Sequence, residues 1–313
     1  MTTLRVRPRA PAPAASRHRL ARRTAALGLL LAGCFAAGTA LAQTPAESAP
    51  AAALRARHAS LQAALASNAF QRPLHLNSSQ AADSLKGEVH AVVTQPYASV
   101  APALQARENW CDILILHLNV KQCRVTPSGG LTINVGKKFD QPLSDTYRVD
   151  FSYRVADRGD DHFQIQLNAA EGPLGTRDYR IMIEAIPLDN ARTFIHMTYS
   201  YAYGMAARMA MQAYLSTLGS DKVGFSTEGR QADGQPALVG GVRGVVERNT
   251  MRYYLAIEAY LNARSAPPGQ QVNKRLRDWF AATERYARQL HEVDEATYLD
   301  MKLKEVRRQQ GAS

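Results

Sequence analysis

The sequence lacks the cysteine density that staples small secreted domains and the ligand spacing of zinc sites. It has three cysteines in 313 residues, and only Cys111 and Cys123 lie beyond the first 42. An isolated pair at this separation favours one disulfide in an oxidising compartment. A structural zinc site is the weaker interpretation, because no second pair of cysteines or histidines completes a tetrahedral set.

Motifs that carry common chemistry are also missing. The chain has no glycine-rich phosphate loop, no His-Glu-x-x-His pair and no acidic calcium loop. The Gly-Phe-Ser-Thr-Glu-Gly run at residues 224–229 is not a nucleophile elbow, because its second glycine comes one residue too late. His75, His90, His117 and His162 have no shared spacing. We therefore expect no metal and no cofactor, and we assign no catalytic residue.

A basic stripe of the kind that binds nucleic acid is absent beyond the N-terminus. The net charge is +11, but seven arginines lie within the first 42 residues, which contain no acid. Subtracting these seven leaves +4, with both signs interspersed. This mild surplus does not predict a nucleic-acid partner.

The first 42 residues carry the pattern of an export signal. The basic stretch is followed by an apolar run from Ala25 to about Ala37. Ala40-Leu41-Ala42 comes next and has small residues at the two positions that a signal peptidase recognises. The run is too short, and too rich in Gly and Ala, to span about 30 Å of hydrocarbon comfortably. We expect a periplasmic protein from which this segment is removed.

A second processing route is open within the same segment. Leu31-Ala32-Gly33-Cys34 matches a bacterial lipobox, in which Cys34 would be acylated and become the new N-terminus. The apolar Phe-Ala-Ala that follows is unlike a lipoprotein and favours soluble export. Acylation would tether the protein to a membrane face without changing its fold.

The middle of the chain alternates apolar and polar residues with a period of two. The pattern occupies residues 147–155, 163–168, 179–185 and 195–203, with shorter candidates at 88–94 and 131–135. Each run has one apolar and one polar side, as in an antiparallel sheet with one solvated face.

The last hairpin of this sheet can be specified to the residue. Its two strands, 179–185 and 195–203, both have their apolar residues at odd positions. These residues lie on the same face of the sheet only if the numbers of two directly paired residues add up to an even number. A three-residue loop at 189–191 satisfies this condition and pairs Ile183 with Met197. It also places Glu184 opposite His196 on the polar face, where we expect a solvated ion pair rather than a catalytic one.

Helical periodicity occurs in segments at residues 54–69, 205–218, 249–263, 272–290 and 297–309. Residues 43–53 are rich in Ala, Pro and Ser and predict a flexible tether. Asn249 is expected to cap its helix. The stretches at 223–227 and 237–246 are expected to form a second hairpin.

The order of these elements resembles the START-like (SRPBCC, helix-grip) superfamily. A strand ends at Gln95-Pro96-Tyr97, two short helices follow, Trp110 lies in the second, and long antiparallel strands lead into helix. The resemblance is one of architecture and covers residues 85–263. It implies a curved sheet wrapped around a long helix, enclosing an apolar ligand cavity. It leaves open whether 205–218 or 249–263 is that helix.

The expected fold is therefore α+β: a curved antiparallel sheet packed on a long helix, with additional C-terminal helices. The expected divisions are an export signal (1–42), a flexible or helical N-terminal segment (43–84), a helix-grip domain (85–263) and a C-terminal helical extension (264–313).

The resemblance implies that the apolar face of the sheet lines the cavity. The candidate ligand contacts are Phe151, Tyr153, Ile183, Met197, Tyr199, Tyr201, Arg243 and Arg252. Tyrosine rings would contact a lipid-like ligand and their hydroxyls would fix its polar end; ordinary core packing is the alternative. The arginines belong to a charged cluster at 243–252, which favours a structural salt-bridge network over a head-group site.

We expect the protein to bind or carry a hydrophobic or amphiphilic molecule without catalysis. One alternative is a cyclase- or hydrolase-type enzyme, with Tyr199, Arg208 and Glu247 as candidates. The other is an envelope scaffold with a solid core, whose C-terminal helices would bind a partner protein. The scaffold predicts no cavity larger than a few water molecules.

Overall fold

The computed structural model describes residues 47–217 and 221–311, which belong to one compact unit. The export signal expected at 1–42 and its Cys34 lie outside the described residues. No helix within the described ranges is both long and apolar enough to cross a bilayer.

The strands are β1 (Leu74–Gln80), β2 (Ser84–Val93), β3 (Val120–Val125), β4 (Leu131–Val135), β5 (Tyr147–Arg158), β6 (Phe163–Glu171), β7 (Thr176–Pro187), β8 (Thr193–Tyr203), β9 (Thr227–Arg230) and β10 (Pro236–Leu238). The first eight form one antiparallel sheet in the order β1-β2-β8-β7-β6-β5-β4-β3, and β9 pairs with β10.

The helices are α1 (Ala49–Ser60), α2 (Gln62–Ala66), α3 (Tyr97–Gln105), α4 (Asn109–Leu114), α5 (Met205–Leu215), α6 (Gly241–Ala263), α7 (Pro268–Glu284), α8 (Ala287–Leu290) and α9 (Glu295–Gln310). The curved sheet packs on α6, which is the long helix, and the α+β helix-grip architecture expected from the sequence is confirmed.

The helix α6 lies against one side of the sheet, where it contacts β1, β2 and β8. Helix and sheet approach closely at Gly87 in β2, where an added Cβ would lie 2.2 Å from Thr250 Oγ1. Tyr254, Leu255 and Ile257 of the helix are buried in the core. The absence of a side chain at Gly87 therefore sets the distance between helix and sheet on this side.

The helix α6 begins earlier in the chain than predicted. It starts at Gly241, so Asn249 lies two turns inside it instead of capping it. The hairpin is confined to β9 and β10, and residues 241–246 are helical. The Glu247 carboxylate accepts hydrogen bonds from the backbone N–H groups of Phe225 and Ser226, at 2.5 and 2.9 Å. These tertiary bonds fasten the hairpin to the helix and outweigh the local strand propensity.

The N-terminal segment is more structured than expected. The helix α1 starts at Ala49, inside the predicted tether, and the Ser48 side chain caps it. With α2 it covers Ile186 and Phe194, on the opposite side of the sheet from α6. Residues 74–80 form strand β1 and pair along β2, so the expected division after residue 84 falls within the sheet.

Two specific predictions are confirmed. Ile183 pairs with Met197 and Glu184 with His196, and a hydrogen bond between Leu188 and Arg192 closes the three-residue loop. The disulfide joins Cys111 in α4 to Cys123 in β3. Closing so short a ring is associated with about 3 kcal/mol of stabilisation.

The C-terminal helices form part of the same core. The predicted helix at 272–290 is broken into α7 and α8, and α7 packs on α6 while α9 packs on β3 and α7. Leu276, Trp279 and Tyr298 are buried among them. Their apolar faces are therefore satisfied within this chain.

We expect Gly87→Ala to lower the free energy of unfolding by about 1–3 kcal/mol, because overpacking forces helix and strand apart. Urea unfolding followed by circular dichroism measures the change. Gly269→Ala is the matched control, since nothing lies within 4 Å of its added Cβ. Equal stability of the two variants would show that the close approach is not a constraint.

Candidate functional site

A cavity of about 220 Å³ lies between the inner face of the sheet and α6. It is lined by residues of β4, β5, β7, β8, α4, α6 and the turn after α4, and none of its lining residues is charged. One water molecule occupies roughly 30 Å³ of liquid, so this space exceeds the few waters that a solid-core scaffold would contain.

A second pocket of about 250 Å³, which is open to solvent, adjoins the first beneath α5. Pro173, Tyr179, Tyr199 and Asn249 line both cavities, so these side chains stand between them. Taken together, the two cavities fall within the range of roughly 300–1,000 Å³ that is usual for small-molecule sites. We call the pair the inner cavity.

Aromatic rings line both parts of the inner cavity. Tyr179 stacks on Tyr201 with centroids 5.2 Å apart, and its edge meets Phe151 at 6.2 Å. Tyr199 lies 5.3 Å from Tyr253 of α6. Gly172 makes room for this wall, because a Cβ there would be 2.3 Å from the Tyr179 ring. The wall offers flat, apolar surfaces to a ligand.

His117 is the polar group held most rigidly at the inner cavity. It is 2% exposed, and its ring stacks on Tyr253 with centroids 4.7 Å apart. Its Nδ1 accepts a hydrogen bond from the Asn119 backbone N–H at 3.1 Å, so the ring hydrogen is on Nε2. Burial, together with the charges of Arg252 and Lys302, lowers the pKa of His117 well below its usual value. The ring is neutral.

Further polar groups face the same space. Asn249 and Tyr253 are four residues apart on α6 and therefore share a face of the helix. Among the described residues, the Asn249 amide and the hydroxyls of Tyr199 and Tyr253 make no hydrogen bond. An apolar cavity with a few convergent polar groups is the usual form of a small-molecule site.

The predicted ligand contacts divide into two groups. Phe151 and Tyr199 line the first part of the inner cavity, and Tyr201 lines the second. Ile183 and Met197 are fully buried in the packed core and line neither part.

Tyr153 points elsewhere. Its hydroxyl donates to the backbone oxygens of Leu104 and Gln105, at 3.3 and 2.9 Å, and it lines an open groove beside α3.

The two predicted arginines lie outside the lining of the inner cavity. Arg243 donates to the Ser78 hydroxyl at 3.1 Å and pairs with Glu228 at 2.6 Å. Arg252 is buried and pairs with Glu292 at 2.7 Å. The charged cluster is thus a structural network, which ties β1, β9 and the segment before α9 to α6.

Two of the three residues suggested for an enzyme, Glu247 and Arg208, have structural partners, whereas Tyr199 lines the inner cavity. Glu247 is fully buried, and it accepts hydrogen bonds from the Ser78 hydroxyl and two backbone N–H groups. Arg208 donates to the backbone oxygen of Ala82, and its guanidinium lies over the Tyr203 ring. Neither charged side chain lines the inner cavity.

Sequence reasoning missed His117, Asn119, Asn249, Tyr179 and Tyr253 as site residues. The four-residue spacing of Asn249 and Tyr253 was a usable signal once the helix was known to extend past Asn249. No local pattern marks His117, because tertiary contacts place the turn that carries it. The Tyr298 hydroxyl donates to Leu116 O at 3.0 Å in that turn.

A row of titratable groups crosses the opposite, outer face of the sheet. The Glu184 carboxylate lies 2.8 Å from His196 Nδ1 and 3.3 Å from His162 Nε2, and Asp157 lies 2.6 Å from His162 Nδ1. The Glu184–His196 pair is thus largely buried within a network, and the expectation of a solvated pair was wrong. The described residues contain no cluster suited to a metal ion.

His90 joins this row without a hydrogen bond. It stacks on His196 with centroids 4.2 Å apart, and neither ring nitrogen has a partner. Burial, with the nearby His196, lowers the pKa of His90 to about 3. Burial opposes charging of His196, but the hydrogen bond to Glu184 and the Glu88 carboxylate at 3.7 Å outweigh it and raise the pKa of His196. The two stacked rings therefore have opposite pKa shifts.

We expect His90→Phe to reduce the loss of stability in acid. Between about pH 6.5 and 3 the unfolded chain binds a proton at residue 90 that the folded chain does not, so wild-type stability falls as pH falls. His196 has the opposite effect, because its pKa is raised in the folded chain. Its contribution to the free energy of unfolding is complete below about pH 6.5 and is lost as the pH rises.

Urea unfolding at pH 6.5 and at pH 5 gives the loss of unfolding free energy between these two pH values. This loss should be about 2 kcal/mol smaller in His90→Phe than in wild type. An equal loss of unfolding free energy between pH 6.5 and 5 in His90→Phe and in wild type would contradict the lowered pKa of His90.

Comparison with known proteins finds no matching family model and no matching curated protein. Solved structures do match. A START superfamily protein from Mycobacterium smegmatis is 12% identical over 46% of this chain and 89% of that chain, with a TM-score of 0.29. The Zhui aromatase/cyclase from Streptomyces sp. R1128 is 14% identical over 70% of this chain and 100% of that chain, also at 0.29.

Norcoclaurine synthase from Thalictrum flavum, in complex with dopamine and hydroxybenzaldehyde, is 12% identical over 46% of this chain and 80% of that chain, with a TM-score of 0.30. At these scores the similarities carry no argument about function, which is therefore inferred from the cavity itself.

Proposed function

We propose that this protein binds a small, largely apolar molecule with a polar end in the inner cavity. The observation that carries the proposal is the combination of an uncharged, aromatic-lined space with polar groups that have no partner in the described chain. Burying apolar ligand surface supplies the affinity, and the few polar groups fix the orientation.

Binding without turnover is the form of this function that the residues favour. The lining of the inner cavity contains no acid, lysine or arginine that could act as a general acid or base. His117 uses its Nδ1 lone pair on Asn119 N–H, so its Nε2–H is a hydrogen-bond donor and not a proton acceptor. A cyclase-type reaction would need a proton acceptor within reach of the ligand.

A partner protein is not part of the proposal. The expectation that the C-terminal helices bind one rested on their content of Arg and Lys from Val272 onward. It stays a prediction.

We expect Val149→Phe to fill the first part of the inner cavity and weaken binding of N-phenyl-1-naphthylamine, an uncharged apolar dye, at least tenfold. Val149 lines the cavity and is buried. Val155→Phe is the matched control, because it makes the same change on the same face of β5 outside the inner cavity. Dye fluorescence gives both affinities.

Equal weakening by both variants, or by neither, would contradict the cavity as the site. Native mass spectrometry of protein from its own cells, followed by organic extraction, tests the proposal without a substitution. A bound small molecule supports it, and an empty chain under gentle conditions counts against it.

We also propose that the protein acts in the periplasm or at a membrane face, after export directed by residues 1–42. The intact mass of protein from the cell envelope measures the processing: a chain beginning at Gln43 indicates soluble export, and an acylated Cys34 indicates a lipoprotein. An unprocessed chain recovered from the cytoplasm, with Cys111 and Cys123 reduced, would contradict export.

A further inference from the structure

We infer that the unpaired edge of β5 is a docking site for an extended segment of another polypeptide, which adds a strand to the sheet and carries acidic side chains. The site is separate from the inner cavity, so the inference stands apart from the proposed function.

Strand β5 extends beyond the end of its neighbour β4. Its pairing with β4 stops at Phe151, opposite Leu131, whereas its pairing with β6 continues along residues 152–158. One side of β5 is therefore without a partner strand from residue 152 onward. A strand edge of this kind is a template on which another chain can pair.

Two residues direct their backbone groups to this open side. The carbonyl oxygen of Phe151 is on the β4 side, because it lies 2.4 Å from a Cβ built at Gly130. In an antiparallel sheet the backbone groups of successive residues point alternately to the two sides, so those of Tyr153 and Val155 point the same way as those of Phe151. No described residue forms a hydrogen bond with the backbone groups of Tyr153 and Val155 on this side.

The regular part of this edge is short. The register between β5 and β6 shifts between Val155 and Asp157, so Ala156 forms a β-bulge. Tyr153 and Val155 each offer one N–H and one C=O group, which suits a short added segment. We therefore expect recognition of a peptide motif, in which backbone hydrogen bonds supply affinity and side chains supply specificity.

The outer edges of the sheet, at β1 and β3, are partly occupied by side chains of this chain. At β1, Asn77 accepts a hydrogen bond from Ser78 N–H at 2.8 Å, and Arg243 donates to Ser78 O at 3.4 Å. At β3, Gln309 of α9 accepts one from Cys123 N–H at 3.0 Å. Such cover hinders pairing with other chains. The β5 edge has no comparable cover within residues 47–217 and 221–311.

A groove of about 930 Å³ lies between α3 and the unpaired part of β5. The Tyr97 hydroxyl donates to Gly159 O at 2.8 Å and the Tyr153 hydroxyl donates to Gln105 O at 2.9 Å, so both ends of the helix are fixed beside the strand. The residues of α3 that line the groove are small: Ala98, Ala101 and Pro102. Apolar side chains on one face of an added strand would lie against them, next to Tyr153 and Val155.

The charges beside the edge favour an acidic segment. Arg154, on the outer face, is exposed and donates to the neutral side chain of Gln166 at 2.9 Å. Arg158 is exposed at the end of the groove. Neither arginine forms an ion pair within the described part of the chain. Asp160 also lines the end of the groove, so the preference for acid depends mainly on Arg154.

A fluorescein-labelled heptapeptide of alternating valine and glutamate is the probe, and we expect micromolar binding by fluorescence anisotropy. Methylation of the valine nitrogens blocks the donors on one edge of the extended peptide, and methylation of the glutamate nitrogens blocks those on the other. One isomer should bind like the parent peptide and the other at least tenfold more weakly. Absence of binding, or equal affinity of the two isomers, would overturn the inference.

Hydrogen exchange followed by NMR tests strand addition directly. The amides of Tyr153 and Val155 should exchange roughly tenfold more slowly with the peptide bound, because they gain partners. Those of Ser152 and Arg154 point toward β6 and should not change. Fast exchange of Tyr153 and Val155 in the complex would overturn strand addition. Slow exchange before the peptide is added would show that the edge is already paired, by a second copy or by this chain, and would also overturn the inference.

Two pairs of variants test the side chains, with circular dichroism to show that each variant folds. Ala98→Trp fills the groove from an exposed position and should abolish binding, whereas Ser99→Trp, beside it and outside the lining, should not. Arg154→Glu should shift the preference to a valine–lysine heptapeptide, whereas Arg180→Glu, two strands away, should not. Wild-type affinity in Ala98→Trp would overturn the docking site, and a wild-type preference for the lysine peptide would overturn the acidic class.

Discussion

The structure depends on how α6 is held against the sheet. One flank of the helix touches β2 so closely that only glycine fits at residue 87. The other flank, with Asn249 and Tyr253, faces β7 and β8 across the inner cavity. Tight packing of α6 on β1 and β2 leaves space over β4 and β5. The cavity follows from this asymmetry.

The additional segments of the chain keep α6 in place and position the site. Glu247 and Arg252 anchor the hairpin of β9 and β10 and the segment before α9 to the helix, and α9 braces the turn that carries His117. The disulfide fixes the start of that turn to β3. What the sequence presented as a C-terminal extension is therefore the support behind the polar end of the cavity.

The sequence predicted those parts of the fold that local rules determine. A strict period of two specified the long strands, and the parity of their apolar residues specified the register of β7 and β8. The start of α6 was mispredicted because buried hydrogen bonds to Glu247 outweigh the strand propensity of 241–246. Strand β1 was missed because Asn77 and Ser78 make it polar, and its pairing with β2 is decided by the edge it completes. In the site, the rings on β5 and β8 were predictable from alternation, whereas His117 was not, because residues distant in sequence set its position.

The distribution of ionisable groups separates the two faces of the sheet. The outer face collects carboxylates and imidazoles whose pKa values shift in opposite directions, so its contribution to stability changes with pH. The inner cavity has only neutral groups in its wall, and His117 there stays neutral because burial and surrounding cations oppose its protonation. Changes of pH in the moderately acidic range would therefore act on the stability of the fold and leave the polarity of the cavity constant. A wall that does not titrate suits the proposed binding of a largely apolar molecule.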